Sequence, residues 1–307
     1  MHATVATSAG AEARKETFVY KTVGTLPIRA EVFRYDDEQT RPVVVWIHGG
    51  ALINGHREQL PSIHKAFLDR GYIFISIDYR LAPETQLPGV IADVEDSIRW
   101  VREQGPKLFH ADAKRIAVTG GSAGGYLTLI VGHRVSPPVQ ALVPFWGYGD
   151  LVGDWYSRPS PHPRHHTIKP TKEEAYQQVA GSPVSDSRDR KGDGGKFYQF
   201  CRQHGSWPKS VSGWDPHSEP EKFFPYMPVK NVTAQYPPTL LIHGDQDTDV
   251  PYEQSVMMAA EFKKHGVEHR LLTITGGEHG LAGVDKKVVE DANNQAVEFV
   301  VSHLKLK

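Results

Sequence analysis

Residues 115–125 contain the arrangement in this chain best suited to chemistry. An apolar run, Ile116-Ala117-Val118, predicts a buried strand, and the apolar residues 126–131 predict a helix. Between them stands Gly120-x-Ser122-x-Gly124, the pattern of a sharp strand-to-helix turn in which glycines leave room around a serine. Such a turn strains the serine backbone and lifts its hydroxyl to the sheet edge, beside the amides that begin the helix. Glycine-rich turns also bind phosphates, so the motif alone leaves a nucleophile and an anion site open.

A serine nucleophile needs a base that takes its proton and an acid that orients the base. Three aspartates follow a strand predicted at 239–243, and they are Asp245, Asp247 and Asp249. His279 follows the next predicted strand, 270–275, and stands in Gly-Gly-Glu-His-Gly. Because loops at the carboxyl ends of parallel strands meet at one edge of a sheet, these groups could converge on Ser122. A solvated loop histidine is the alternative for His279 in a chain with 16 histidines.

The elements that must position these residues alternate between strands and helices. The predicted strands are 18–23, 28–35, 43–47, 72–77, 116–119, 139–145, 239–243 and 270–275, and the predicted helices are 61–70, 90–104, 126–131, 252–265 and 286–304. This alternation predicts an α/β fold with a mostly parallel central sheet, helices on both faces and a hairpin at one edge. We expect residues 1–16 to form an N-terminal tail and residues 17–307 to form one domain. Residues 147–238, rich in Pro, His and aromatics, are expected to form a lid insertion in that domain.

Five motifs, in this order, resemble the α/β-hydrolases, in particular the hormone-sensitive-lipase-like and related carboxylesterase group. They are His48-Gly49-Gly50, Asp78-Tyr79-Arg80-Leu81-Ala82-Pro83-Glu84, the Ser122 turn, His243-Gly244-x-x-Asp247-x-x-Val250-Pro251 and His279-Gly280. The resemblance covers residues 43–304 apart from the insertion. It implies the α/β-hydrolase fold, a catalytic triad of Ser122, Asp247 and His279, and no metal or organic cofactor. It leaves Asp245 and Asp249 as loop-forming or solvated carboxylates, and the 78–84 run as a structural brace.

An oxyanion hole would complete such a site, because the tetrahedral intermediate of acyl transfer carries a negative charge that backbone amides stabilise. The amide of Ala123, at the predicted helix N-terminus, is one donor. The resemblance implies that Gly50 and Ala51 supply others and that His48 orients their loop. Ala51 stands where the family usually has a third glycine, so its Cβ constrains the shape of the loop.

The composition of the chain limits the classes of partner that it could bind. The 307 residues carry a formal net charge of -1, which gives no electrostatic case for nucleic acid or an anionic membrane. No apolar run is long enough for a membrane span, and the N-terminus lacks the apolar core of a secretory signal. A single cysteine permits no internal disulfide, which fits a reducing compartment. With no signal peptide or membrane segment predicted, we expect a cytoplasmic protein. His162, His165 and His166 lie in Pro-rich sequence without a metal-ligand pattern and predict a surface loop.

These observations predict a serine hydrolase that cleaves small-molecule carboxylic esters through an acyl-enzyme on Ser122. Short-chain or aryl esters are the substrates that the resemblance implies. An amidase, a formamidase or an acyl-peptide hydrolase is an alternative on the same residues, and a non-catalytic ligand-binding protein of this fold is another. The aromatic residues of the insertion could line a pocket or form its own small core. Whether the chain is a monomer or a homodimer stays open.

Overall fold

The protein is built around a sheet whose inner strands are continuous apolar runs. The computed structural model describes residues 13–305. Within that range the strands are Ala13–Val23 (β1), Leu26–Tyr35 (β2), Arg41–Ile47 (β3), Ile73–Ile77 (β4), Ala111–Gly121 (β5), Ala141–Phe145 (β6), Thr239–Gly244 (β7) and His269–Ile274 (β8). They form one sheet in the order β1-β2-β4-β3-β5-β6-β7-β8. The pairs β1–β2 and β2–β4 are antiparallel and the other five are parallel, which confirms the predicted fold class.

Helices cover both faces of this sheet. Their bounds are His64–Asp69 (α1), Leu87–Glu103 (α2), Gly105–Phe109 (α3), Ala123–Arg134 (α4), Asp154–Ser157 (α5), Lys172–Gln177 (α6), Gly195–His204 (α7), Trp207–Ser212 (α8), Glu253–Lys264 (α9) and Lys286–His303 (α10). Val43, Val45 and Ile47 of β3 share a buried cluster with α2, α4 and α9, whereas Val44 and Trp46 share another with α1 and α10. All of β3 is buried because it is covered on both sides. No helix in residues 13–305 is both long and apolar enough to cross a bilayer.

The parallel register brings the carboxyl ends of the inner strands to one edge of the sheet. Ile47 of β3 lies opposite Gly120 of β5, and Gly121 lies opposite Phe145 of β6. At the far end of the sheet β7 and β8 are paired up to their last residues, so they also end at the same edge. The loops after β3, β5, β7 and β8 therefore meet at a common edge, where open parallel sheets place their ligand sites.

The first strand begins earlier than the sequence predicts. β1 starts at Ala13 rather than Phe18, so residues 13–16 of the expected tail belong to the sheet, while residues 1–12 lie outside the described part of the chain. Glu16 Oε2 lies 2.9 Å from Arg14 Nη2 and 3.3 Å from Arg34 Nε of β2. An edge strand can carry charged side chains that face solvent and pair with one another. Such a strand lacks the apolar pattern by which strands are predicted.

Residues 147–238 lie between β6 and β7 and contain the short helices α5 to α8, with no strand among them. We call this segment the insertion. A stack of aromatic rings runs through it. The Tyr156 ring stacks on Trp155 and on Trp207, with centroid distances of 3.8 Å and 3.9 Å. Trp207 and Phe197 are fully buried. These rings therefore pack as a core of the insertion rather than as the open wall of a pocket.

Candidate active site

Ser122 stands at a sharp turn between β5 and α4, of which Ala123 is the first residue. Its φ of 58° and ψ of -120° are strained for a residue with a Cβ, as the sequence predicts. Close approach of the backbone explains the two flanking glycines. A Cβ on Gly120 would lie 2.4 Å from the carbonyl oxygen of Gly124, and a Cβ on Gly124 would lie 2.0 Å from that of Ile47. Only glycine fits at these positions, so the turn keeps Ser122 at the carboxyl edge of the sheet.

The structure brings Ser122, His279 and Asp247 into one hydrogen-bonded chain. Ser122 Oγ lies 3.1 Å from His279 Nε2, although 157 residues separate the two. His279 Nδ1 lies 2.8 Å from Asp247 Oδ2. With its proton on Nδ1 donated to the carboxylate, the imidazole can accept the serine hydroxyl at Nε2. A hydroxyl, a base and an orienting acid are thus in the order that nucleophilic catalysis requires.

The loop after β7 holds Asp247 in place. Asp247 Oδ1 accepts the backbone N–H groups of Asp249 at 2.8 Å and Val250 at 2.9 Å. His243 Nε2 lies 3.3 Å from Asp247 Oδ2, and His243 Nδ1 lies 2.7 Å from the hydroxyl of Ser255. One carboxylate oxygen is therefore fixed by the backbone, and the other faces His279. Asp245 instead accepts the backbone N–H of Gly276 at 2.7 Å, which fits its expected loop-forming role.

The charges around the imidazole favour its protonated form. Burial raises the pKa of Asp247, but hydrogen bonds from His243 and His279 outweigh burial and bring this pKa to about 2. Burial lowers the pKa of His279, but the hydrogen bond to Asp247 and the charge of Asp249 outweigh it. The pKa of His279 therefore lies above its usual value of 6.5. Asp247 is ionised at neutral pH and can stabilise the imidazolium that forms when His279 takes a proton.

The loop after β3 passes beside the serine. A Cβ on Gly49 would lie 3.3 Å from Ser122 Cβ. Gly50 has a φ of 102° and Ala51 a φ of 56°, so the alanine adopts the left-handed conformation at a cost of roughly 1 kcal/mol. Trp207 Nε1 of the insertion donates to the carbonyl oxygen of Ala51 at 2.9 Å and holds this conformation. Within the described residues, the amides of Gly50 and Ala51 donate no hydrogen bond to the protein.

His48 orients this loop, as the sequence predicts. Its side chain is fully buried and stacks on the Tyr79 ring at a centroid distance of 4.3 Å. Nδ1 lies 2.7 Å from the carbonyl oxygen of Gly49. Burial lowers the pKa of His48 to about 4, so the ring is neutral at physiological pH. It is enclosed in the core against Gly49 and Gly55 of the loop after β3.

The 78–84 run braces the same region through ion pairs between half-buried and buried side chains. They are Asp78–Arg57 at 2.8 Å, Arg80–Asp93 at 2.7 Å and Glu84–Arg190 at 2.6 Å. Arg190 belongs to the insertion and also donates to the carbonyl oxygen of Ile53. The structural interpretation of this run is therefore supported, and its carboxylates are engaged with arginines rather than with the serine.

The structure corrects the predictions for Asp249 and His165. Asp249 was expected to be loop-forming or solvated, but it is only 8% exposed, and its Oδ1 lies 2.9 Å from His165 Nε2. His165 was expected in a surface loop, but it is 1% exposed. Tyr198 donates its hydroxyl to the same Oδ1 at 2.5 Å. No local pattern could have predicted this cluster, because 84 residues separate His165 from Asp249. Among the described residues, no group of three or more His, Cys, Asp or Glu side chains is arranged to hold a metal ion.

Arg164 of the insertion reaches the loop that carries His279. Its Nη1 lies 2.6 Å from Glu278 Oε2. Glu278 also accepts the backbone N–H of Thr248 at 2.7 Å. The insertion, the loop after β7 and the loop after β8 are thus tied together next to the imidazole. Arg164 and Glu278 are not predicted from the sequence as parts of this site, because 114 residues separate them.

Two family profiles together match most of the chain. The BD-FAE family matches residues 33–151, and the prolyl oligopeptidase family matches residues 177–307. The first range contains the loop after β3 and Ser122, and the second contains Asp247 and His279. Each half of the site therefore lies in a region that is similar to a known family.

Individual relatives and a solved structure agree with these matches. Esterase LipC of Mycobacterium tuberculosis is 28% identical over 73% of this chain and 49% of its own length. The non-reducing polyketide synthase adrD of Penicillium rubens is 26% identical over 86% of this chain, which spans only 12% of that protein. A thermophilic esterase from Thermogutta terrifontis superposes with a TM-score of 0.65 at 22% identity, covering 94% of this chain and 92% of the other. The sheet order, the turn at Ser122 and these similarities agree, and the chain has the α/β-hydrolase fold and is similar to serine esterases of that fold.

Proposed function

We propose that this protein hydrolyses carboxylic esters through an acyl-enzyme on Ser122. The observation that carries the proposal is the continuous contact from Ser122 Oγ through His279 to Asp247, at 3.1 Å and 2.8 Å. LipC and the Thermogutta protein are both described as esterases, which supports the same activity. The expected substrate is a small molecule, since the sequence gives no charge pattern for nucleic acid.

In the proposed reaction His279 Nε2 accepts the Ser122 proton as Oγ bonds to the ester carbonyl carbon. Asp247 stabilises the imidazolium. The tetrahedral intermediate collapses when the C–O bond breaks and His279 returns the proton to the leaving alcohol. Water then attacks the acyl-enzyme with His279 again as base, and the acid and free Ser122 are released. No cofactor takes part in this scheme.

The oxyanion of each intermediate is assigned to the backbone amides of Gly50, Ala51 and Ala123. Gly50 and Ala51 begin a turn just after Gly49, which lies beside Ser122, and Ala123 begins α4, whose N-terminus favours negative charge. A well-placed amide lowers the barrier by about 3 kcal/mol. The positive φ of Ala51 supports this assignment, because it turns the loop sharply just after the glycine.

The insertion at about 147–238 is proposed as the lid of this site. Its Trp207 and Arg190 contact the loop after β3, and its Arg164 contacts the loop after β8. Trp146, at the end of β6, packs edge-to-face with His279 at a centroid distance of 6.3 Å and offers an aromatic surface for the substrate. An aromatic ring beside the base suits an aryl or short-chain ester, the substrates that the resemblance implies.

The test is hydrolysis of a p-nitrophenyl ester series by the wild type and by Ser122→Ala. We expect the variant to lose activity by a factor of about 10³ or more. Ser218→Ala is the matched control, because Ser218 lies on an exposed turn. Thermogutta esterase 2 is known in a form phosphorylated by paraoxon, so a fluorophosphonate should label this protein once, on Ser122. Wild-type activity in Ser122→Ala would reject the proposal, and a folded protein that never labels would favour a non-catalytic binding role.

Cleavage of an amide or peptide bond is a second candidate, favoured by the match of residues 177–307 to the prolyl oligopeptidase family. The same residues would serve it, with His279 donating its proton to a leaving amine. An ester and an amide with the same acyl and aryl groups separate the two functions. A higher kcat/KM for the amide than for its matched ester would make the second candidate the main activity.

A further inference from the structure

A second carboxylate lies beside the imidazole that is proposed as the base. Asp249 Oδ2 is 3.7 Å from His279 Nε2, the nitrogen that faces Ser122. The other oxygen, Oδ1, is occupied by His165 Nε2 at 2.9 Å and the Tyr198 hydroxyl at 2.5 Å. Within the described residues no hydrogen bond is made to Oδ2, whose nearest cations are His279 and Arg164 Nη2, each at 3.7 Å. One oxygen is therefore held and the other is directed at the site.

The side chains that hold Asp249 all come from the insertion. His165 follows α5, Tyr198 lies in α7, and Arg202, on the next turn of α7, places Nη1 3.8 Å from Asp249 Oδ1. Arg202 is itself 3% exposed and lies over the Tyr156 ring at 4.7 Å. A buried carboxylate is tolerated only when it is paired and hydrogen-bonded, and the insertion supplies these partners.

We propose that Asp249 is a positioning residue of this site, whose Oδ2, fixed by the insertion, stabilises the imidazolium of His279 during acyl transfer. The inference rests on the proposed function, because it concerns the same base. It assigns the insertion an electrostatic role besides covering the site. Asp249 also donates its backbone N–H to Asp247 Oδ1, so one residue orients the acid and supports the charge on the base.

The charged groups around His279 come from three parts of the chain. They are Asp247 and Asp249 from the loop after β7, Glu278 from the loop after β8, and Arg164 and Arg202 from the insertion. Burial lowers the pKa of His165 and keeps this ring neutral near pH 7, so it adds no charge. Two of these carboxylates approach the imidazole within 4 Å. Arg164 works in the opposite direction, because its charge opposes that of the imidazolium.

The sign of the effect follows from this arrangement. A negative charge close to Nε2 lowers the free energy of the imidazolium relative to the neutral ring. It stabilises the transition state, in which the proton has moved from Ser122 to His279, and it also raises the pH below which the free base is protonated. Loss of Asp249 should therefore lower the plateau rate and shift the acid limb of the pH profile to lower pH. Loss of a residue that only supported the fold would lower the rate equally at every pH and would leave the midpoint unchanged.

Asp249→Asn, an isosteric change, tests this in the full chain with the p-nitrophenyl ester that serves as substrate. We expect the midpoint of the acid limb of kcat/KM to fall by about one pH unit. Asp245→Asn is the matched control, because this carboxylate on the same loop bonds Gly276 rather than the imidazole, and it should leave the midpoint unchanged. Arg164→Gln removes the opposing cation and should move the midpoint upward. This variant carries the test if Asp249→Asn fails to fold.

An NMR titration of the His279 ring in Ser122→Ala gives a readout independent of turnover. The pKa of His279 should be lower in Ser122→Ala/Asp249→Asn than in Ser122→Ala. Equal values, or equal acid-limb midpoints for Asp249→Asn and the wild type, would overturn the inference. An active Ser122→Ala would instead reject the proposed function, so the two failures are distinguishable.

Discussion

The indole N–H of Trp207 donates a hydrogen bond to the carbonyl oxygen of Ala51 over 2.9 Å, and 156 residues separate the two in the chain. Ala51 and Leu52 both have positive φ, with values of 56° and 63°. The backbone N–H of Ala82 holds the carbonyl oxygen of Leu52 at 2.7 Å. Two consecutive residues in the left-handed region are strained, so they require such restraints. The insertion thereby supports the conformation of the loop that is assigned to the oxyanion.

Trp207→Phe should lower kcat and leave KM nearly unchanged. Phenylalanine preserves most of the stacking on Tyr156 but removes the donor to Ala51, and an unmade buried hydrogen bond costs about 1 kcal/mol. The amides of Gly50 and Ala51 would then be less well ordered, and we expect kcat to fall about tenfold. Steady-state kinetics on an aryl ester measures the effect. Trp214→Phe, elsewhere in the insertion, is the matched control, and an equal loss in both variants would contradict this explanation.

The rate should depend on pH through His279. The pKa of this ring lies above 6.5 because Asp247 and Asp249 outweigh the effect of burial. The protonated ring cannot accept the Ser122 proton, so kcat/KM should fall as pH decreases, with a midpoint above pH 6.5. A pH profile of kcat/KM on a neutral ester measures it. A rate constant that stayed level down to about pH 4 would exclude a histidine base.

Much of this site could be predicted because its parts follow strands. Ser122 and Asp247 follow buried apolar strands, and His279 follows the partly exposed strand β8 and stands beside Gly280. The parallel sheet places such positions together. Asp249 and His165 could not be predicted as buried. Their burial depends on how the insertion folds over the edge of the sheet, and Tyr198 contributes from a third place in the chain. The start of β1 was placed too late because its charged residues face solvent.

The Trp207–Ala51 hydrogen bond could not be predicted either, because it also depends on how the insertion folds over the edge of the sheet. An alanine at position 51, where the family usually has a glycine, predicts only a constraint on the shape of the loop. The structure shows that a side chain from the insertion stabilises the left-handed turn. A contact over this sequence separation leaves no periodicity and no local motif. The alternation of strands and helices thus predicts where loops lie, but not which side chains from the insertion hold them.

The free energy of unfolding should decrease as the pH falls, because the buried ring of His48 is held in its neutral form. The pKa of this ring is about 4 in the folded protein, because burial disfavours the charged form, and 6.5 in the unfolded chain. The neutral ring therefore contributes stability above pH 6.5, and this contribution is lost as the pH falls from 6.5 toward 4. The difference in pKa corresponds to about 3 kcal/mol. Urea unfolding of His48→Gln should show a smaller loss of stability over this range than the wild type. His204→Gln, at an exposed position, should lose as much stability as the wild type.

Gly124→Ala should destabilise the fold, and Gly181→Ala should not. A Cβ on Gly124 would lie 2.0 Å from the carbonyl oxygen of Ile47 and 2.7 Å from that of His48, so α4 would have to move away from β3. Overpacking of this kind costs about 1–3 kcal/mol or more. A Cβ on Gly181 meets no atom within 4 Å, so that change should stay within about 0.5 kcal/mol. Thermal and urea unfolding measure both. The shift of α4 would also move Ser122 and Ala123. Activity should therefore fall in Gly124→Ala even at temperatures where the variant is fully folded. Equal stability of the two variants would show that the turn can relax.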